Sequence, residues 1–226
     1  MITIDNLSVS FGNKEALKDI NIHFSRGKVV GIVGENGSGK TTIFKCIAGL
    51  QEYKGVIKGE YTPLKNHIGF LQTEPYFFSK ITGREYIQLL CNARDIKMDE
   101  IDNRNIFDLP LNQYAATYST GMKKKLALMA ILIQENKVLI LDEPFNGVDI
   151  HSNIIITEII HQLKLLNKTI LISSHIFSTL NSTCDEIHLL RNGTFIKKVL
   201  KEEFALLEQE LINFTIGDRI EKLHLK

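Results

Sequence analysis

The chain has 226 residues, 44% of them hydrophobic and 23% charged, with a formal net charge of +1. A chain of this size and mix buries a substantial core, which excludes a disordered or fibrous polymer and points to one domain, with or without an inserted subdomain. The near-neutral balance leaves no electrostatic footprint for a polyanion, so nucleic acid is not an expected partner.

The first element begins at once. MITIDNLSVSF alternates apolar and polar residues, which predicts a strand over Ile2–Phe11 and not a cationic start followed by an apolar signal core. Similar alternation at 19–24 and 56–61 completes a small antiparallel sheet. Between them a short apolar run, Val29–Val33, leads into GENGSGKT at 34–41 and then a helix over 42–50. On that helix Ile43, Phe44, Ile47 and Leu50 share a face, and Gly49 marks its end. The runs Ile68–Leu71, 138–141 and Thr169–Ser173 read as central strands covered on both faces. A mostly parallel sheet flanked by helices follows, an α/β fold.

Residues 73–117 differ in texture. The capping-box pattern Thr82 to Glu85 opens one helix, and 98–107 reads as a second before Pro110, so this part is a helical insertion. Helices over 122–133 and 153–166 then resume the alternation, and a tail helix from Lys201 sets Phe204, Leu207 and Leu211 on one face to pack back on its own domain. The longest apolar run, 126–133, falls far short of the ~20 residues a membrane-spanning helix needs. Cys46, Cys91 and Cys184 are widely spaced and form no CxxC pair, which argues against a disulfide framework or a zinc site and for a reducing compartment.

Two segments carry chemistry. In GENGSGKT the glycines Gly34, Gly37 and Gly39 clear side chains from a concave loop, so backbone N–H groups reach a phosphate at the positive end of the following helix. Lys40 supplies an ammonium for the β- and γ-phosphates, and the Thr41 hydroxyl suits a magnesium ion. In VLILDEP, two carboxylates stand at the carboxyl end of a buried strand, where open α/β sheets present ligand-binding groups. Asp142 is placed to hold the metal and Glu143 to polarise a water.

With these segments in order come Gln72 after the strand IGFL, YSTGM at 118–122, FNGVD at 145–149 and His175 after ILISS. The whole succession resembles the ATP-binding-cassette ATPases over nearly the full chain, and the YSTGMKKK wording with its short helical insertion is most similar to export-type, ABC-2-like members. The signature departs from the commoner LSGGQ at Thr120 and Met122 but keeps Ser119 and Gly121.

The resemblance implies a P-loop nucleoside-triphosphatase core with an N-terminal antiparallel β subdomain. It also implies a single domain over 1–226, with a helical insertion at about 73–121 carrying the signature and a tail at 201–226. Phe11 would stack on adenine; Gly34, Asn36, Gly37, Ser38, Gly39, Lys40, Thr41 and Thr42 would surround the phosphates of ATP. Thr41, Gln72 and Asp142 would hold Mg2+, and Glu143, Gln72 and His175 would serve hydrolysis. Ser119 and Gly121 would meet the ATP of a second copy, with Asp149 at the interface between copies. Implied partners are a second ATPase subunit and a separate integral membrane permease. The chain would then be cytoplasmic, peripheral on the inner face of the cell membrane. A soluble cassette ATPase acting as a clamp or assembly factor, as in iron–sulfur assembly, is the alternative. The aromatics Tyr76, Phe77 and Phe78 read as core of the insertion or as part of the surface beside which this family docks its membrane partner.

Overall fold

The computed structural model describes residues 1–97 and 100–216. In chain order it contains β1 (Ile2–Phe11), β2 (Lys14–Phe24), β3 (Val29–Val33), α1 (Lys40–Ile47), β4 (Lys54–Gly59) and β5 (Ile68–Leu71). Then come α2 (Gly83–Asn92), α3 (Thr120–Ile133), β6 (Val138–Asp142), α4 (Ile150–Leu165) and β7 (Thr169–Ser173). The last elements are α5 (Phe177–Thr183), β8 (Glu186–Arg191), β9 (Thr194–Leu200) and α6 (Phe204–Ile216). Strands β2, β1 and β4 form an antiparallel sheet in that order, and a second sheet runs β5-β6-β7-β3-β8-β9. Every pairing in the second sheet is parallel except that of β8 with β9.

The period of two along a strand divides the core into two layers. From β3, Val29 and Val33 join the cluster under α2 to α6, whereas Val30 and Ile32 face α1 and the antiparallel sheet. Leu139 and Leu141 of β6 likewise join the first cluster, and Val138 and Ile140 the second. Because both faces are covered, these strands read as continuous apolar runs, and every residue of β3, β6 and β7 is buried. The carboxyl ends of β3, β6 and β7 lie side by side in the middle of the sheet, and the candidate site forms there.

The sequence reading and the structure differ in places. Its last strand ends at Ser173, but β8 and β9 continue the sheet around a turn at Asn192 and Gly193, both with positive φ. The helix expected over 98–107 is replaced, in its described part, by one 3₁₀ turn at Ile101–Arg104; Met98 and Asp99 lie outside the described residues. Short polar side chains compete with the helix there. Asn103 donates to Glu100, while the Asn105 amide donates to the Leu109 carbonyl and accepts from the Leu109 N–H. Leu50 stands beyond the end of α1 and is 60% exposed, so it does not extend that helix's apolar face. The capping box at Thr82 and Glu85 forms as expected. On the tail helix Phe204, Leu207 and Leu211 pack into the first cluster; residues 217–226 lie outside the described chain.

Candidate active site

The loop after β3 turns into α1 through Gly39, at φ +113 the N-cap of the helix. A side chain there would clash with Leu17 Cδ2 at 2.7 Å and with the Ala16 carbonyl at 2.9 Å, so only glycine closes this turn. The Ser38 N–H donates to the Glu35 carbonyl (3.1 Å), and the Ser38 carbonyl accepts from the Gly193 N–H (3.1 Å). The Ser38 hydroxyl is buried without a hydrogen-bond partner among the described residues. Lys40 is buried, and its Nζ donates to the carbonyls of Gly34 (2.7 Å) and Glu35 (3.1 Å). Burial holds its ammonium below the usual lysine pKa, opposed by the Glu143 and Asp142 carboxylates.

Asp142, at the end of β6, is 1% exposed and gathers three hydroxyls. Its Oδ2 accepts from Thr41 and Thr73, both at 2.7 Å, and its Oδ1 accepts from Ser173 at 2.6 Å. Thr41 reaches it from the first turn of α1, Thr73 from just past β5 and Ser173 from the end of β7. The parallel register sets this up, since Leu71 pairs with Leu141 and Asp142 with Ser173.

Glu143 follows in the left-handed region at φ +53, an unusual conformation for a side-chain-bearing residue and one that the next residue, Pro144, further restricts. Its N–H donates to Ser173 Oγ (3.0 Å), and its carbonyl accepts from Lys124 Nζ (2.7 Å). The carboxylate is buried; Oε2 accepts from the His175 N–H (3.2 Å), and Oε1 lies 2.9 Å from His175 Nε2 without an aligned hydrogen bond. Burial pushes its pKa above the usual carboxylate range, and the His175 ring and N–H and Lys40 oppose the shift. A carboxylate shifted upward in this way is a better proton acceptor near neutral pH.

The structure thus brings Lys40, Thr41, Asp142, Glu143 and His175 together. Gln72 is exposed on the same connection, and Thr73, one residue later, is the one that bonds Asp142. Asn36 and Gly37 are exposed on the loop, and Thr42 is half-buried in the first turn of α1. Phe11 ends β1 at the tip of the β1–β2 hairpin, paired with Lys14 and 52% exposed. Ser119 is exposed and caps α3, its hydroxyl accepting from the Met122 N–H (3.2 Å). Gly121 packs so closely that a Cβ would lie 2.7 Å from the Gly147 carbonyl. Asp149 caps α4 by accepting from the Ser152 N–H (2.9 Å) and pairs with Lys125 (3.2 Å), and these bonds hold its carboxyl well below the usual range.

Two residues at the site escaped the sequence reading, Thr73 and Lys124, whereas the serines before His175 suit a strand end facing the site, and Ser173 stands there. Thr73 carried a signal in its place directly after Gln72. Lys124 carried none, since its neighbours Lys123 and Lys125 make it look like one residue of a solvated run.

Among the described residues no group of three or more His, Cys, Asp or Glu could cage a metal. The hydroxyl and carboxylate oxygens of Thr41, Thr73 and Asp142 are nonetheless the hard donors that Mg2+ takes when phosphate and water oxygens complete its shell. The residues present therefore fit a magnesium ion delivered with a nucleotide.

Residues 17–146 match the ABC transporter family. The chain is 35% identical to the ABC transporter ATP-binding protein NatA of Bacillus subtilis (strain 168), over 93% of each chain. It is 31% identical to the bacitracin transport ATP-binding protein BcrA of Enterococcus faecalis, over 96% of this chain and 75% of that one. Its structure superposes on that of an ATP-binding subunit of an ABC transporter with a TM-score of 0.85 at 26% identity, covering 95% of this chain and 99% of the other. The phosphate loop, the buried carboxylate pair and these likenesses converge: the chain belongs to the ABC transporter family, as an ATP-binding subunit with the family's ATPase activity.

Proposed function

We propose that two copies of this chain clasp two ATP molecules and use their hydrolysis to drive a separate membrane-spanning permease from its inner face, in the direction of export. The observation that carries this reading is the buried Glu143 carboxylate beside Lys40, Asp142 and His175, with its pKa raised. In it, Phe11 stacks on adenine, and residues 34–42 wrap the phosphates. Bound Mg2+, held by Thr41, Asp142 and Gln72, would neutralise charge on the β- and γ-phosphates. Lys40 exchanges its loop carbonyls for phosphate oxygens. Glu143 takes a proton from the attacking water while His175 orients the carboxylate and meets the γ-phosphate. Ser119 and Gly121 of the other copy close over that phosphate with the N-terminus of α3, and Asp149 lies at the interface. The chain acts as one cassette, with 73–121 as its helical insertion and 201–226 as its tail.

A groove of about 620 Å³ supports a membrane partner. It runs past Leu50, Gln72, Tyr76, Phe78, Leu89 and Arg94. Phe77 packs against the core, whereas Tyr76 and Phe78 are 74% and 56% exposed. A short amphipathic helix from a permease suits such a trough, and Gln72 on its wall links it to the connection that carries Thr73. Among the described residues no helix is long and apolar enough to cross a membrane, so on this reading the span is on another chain. The bacitracin transport relative supports transport as the work performed, and export as its direction rests on the resemblance of the YSTGMKKK segment to export-type members.

Affinity purification of the tagged chain from detergent-solubilised membranes tests the proposal. A polytopic membrane protein in stoichiometric amount is expected. Recovery of soluble partners alone, with the chain missing from membranes, would favour the clamp or assembly-factor reading instead.

A further inference from the structure

Lys124 is 2% exposed, a rare position for a lysine, and among the described residues its ammonium pairs with no carboxylate. Its one hydrogen bond among them is donated at 2.7 Å to a backbone atom, the carbonyl of Glu143. That carbonyl belongs to the residue held at φ +53 ahead of a proline, a strained geometry that persists only where the surroundings over-determine it. Two contacts do so here. Ser173 Oγ takes the Glu143 N–H from the sheet side, and Lys124 takes the carbonyl from the helix side. Lys124 lies on the second turn of α3, whose N-terminus carries Ser119 and whose Gly121 abuts the Gly147 carbonyl.

We propose that Lys124 is a positioning residue for hydrolysis: from the signature helix it pins the left-handed backbone of Glu143 and so aims the carboxylate. The inference rests on the reading of Glu143 as the base. A lysine suits the task because its stem spans the gap through apolar packing while its tip donates a charge-assisted bond. Methionine at 124 would fill a similar volume without a donor, leaving Glu143 to relax toward extended backbone and to swing its carboxylate away from the water it activates.

The test is K124M, assayed for ATP turnover, ATP affinity and thermal melting, alone and combined with E143Q. The expected result is a kcat lower by about tenfold or more, with KM for ATP within about twofold, since the bond lost serves geometry and not binding. The double variant should be no slower than E143Q, because a residue acting only through Glu143 has nothing left to position. Should K124M fail to fold, K124Q, which keeps a shorter donor, is carried through the same measurements with a smaller loss expected. A kcat within twofold of the parent, a loss confined to KM, or a further full loss on the E143Q background would each overturn the proposal. E143Q turning over at the parental rate would instead remove the base itself, so the two failures are distinguishable.

Discussion

The Asp142–Glu143 turn and the start of α3 treat their polar groups in opposite ways. At the first, carboxylates that are almost fully buried are met from three other segments by Thr41, Thr73, Ser173 and the His175 backbone. At the second, the Ser119 hydroxyl is exposed and accepts one bond from its own helix, and its proton meets no acceptor among the described residues. One region is an internal network, costly to disturb because both of its carboxylates are buried. The other is a capped helix end with donors to spare, the form an anion-binding surface takes before its anion arrives. On the proposed function, the contrast teaches that a chain can complete one half of a phosphate site by folding and leave the other half to association.

The sharpest way to break that contrast is E143Q. It should lower kcat by about 10²–10⁴-fold while ATP binding persists, read by single-turnover assay and nucleotide titration, and the variant should accumulate as a nucleotide-bound dimer. Retained turnover would mean the buried network is structural only. Next in size, S119A should lose about 1 kcal/mol of stability with its cap and about tenfold or more in kcat with its phosphate contact. Mixing S119A with E143Q sharpens the point. A mixed pair holds one intact site, so activity should rise well above either variant alone, whereas no recovery would place both regions at one site within one chain.

F11A should weaken ATP binding by about 0.5–1.5 kcal/mol, the scale of aromatic stacking, and calorimetric titration measures it. Unchanged affinity would put adenine elsewhere. Smallest is a control remote from both regions. His188 is buried between Phe24 and Phe195, with its Nε2 2.9 Å from Glu186. Burial lowers its pKa beneath the usual 6.5, so below that pH the folded chain binds fewer protons than the unfolded one. The stability it contributes is complete above 6.5 and is lost as pH falls toward its lowered value. Melting temperature should therefore drop as pH falls below 6.5, and H188F should flatten that slope. An equally steep slope in H188F would assign the acid sensitivity to other groups.

What the sequence made legible was whatever depends on neighbours along the chain. Residues 34–41 announce a phosphate loop because glycine spacing, lysine and threonine all act within one turn, and the doubly covered strands announce themselves as unbroken apolar runs. Thr73 bonds Asp142 only because β5 lies beside β6, and Lys124 reaches Glu143 only because α3 packs on β5, the neighbour of β6, so neither fact is written in local spacing. The helix expected over 98–107 yields to asparagine side chains that satisfy the backbone locally. The β8–β9 hairpin lacked a motif, yet it shapes the loop that has the clearest one.

That last dependence bears on how the protein is made. The Gly193 N–H bonds the Ser38 carbonyl, the Gly193 carbonyl accepts from the Lys18 N–H, and the wall against Gly34 is the Leu190 carbonyl. Segments near residues 17, 38 and 193 must therefore meet before the phosphate loop has its final shape. During synthesis the most recognisable motif of the chain leaves the ribosome early but waits for nearly the last strand to be finished. Nascent chains shorter than about 190 residues should not hold nucleotide, so a truncated product cannot titrate ATP.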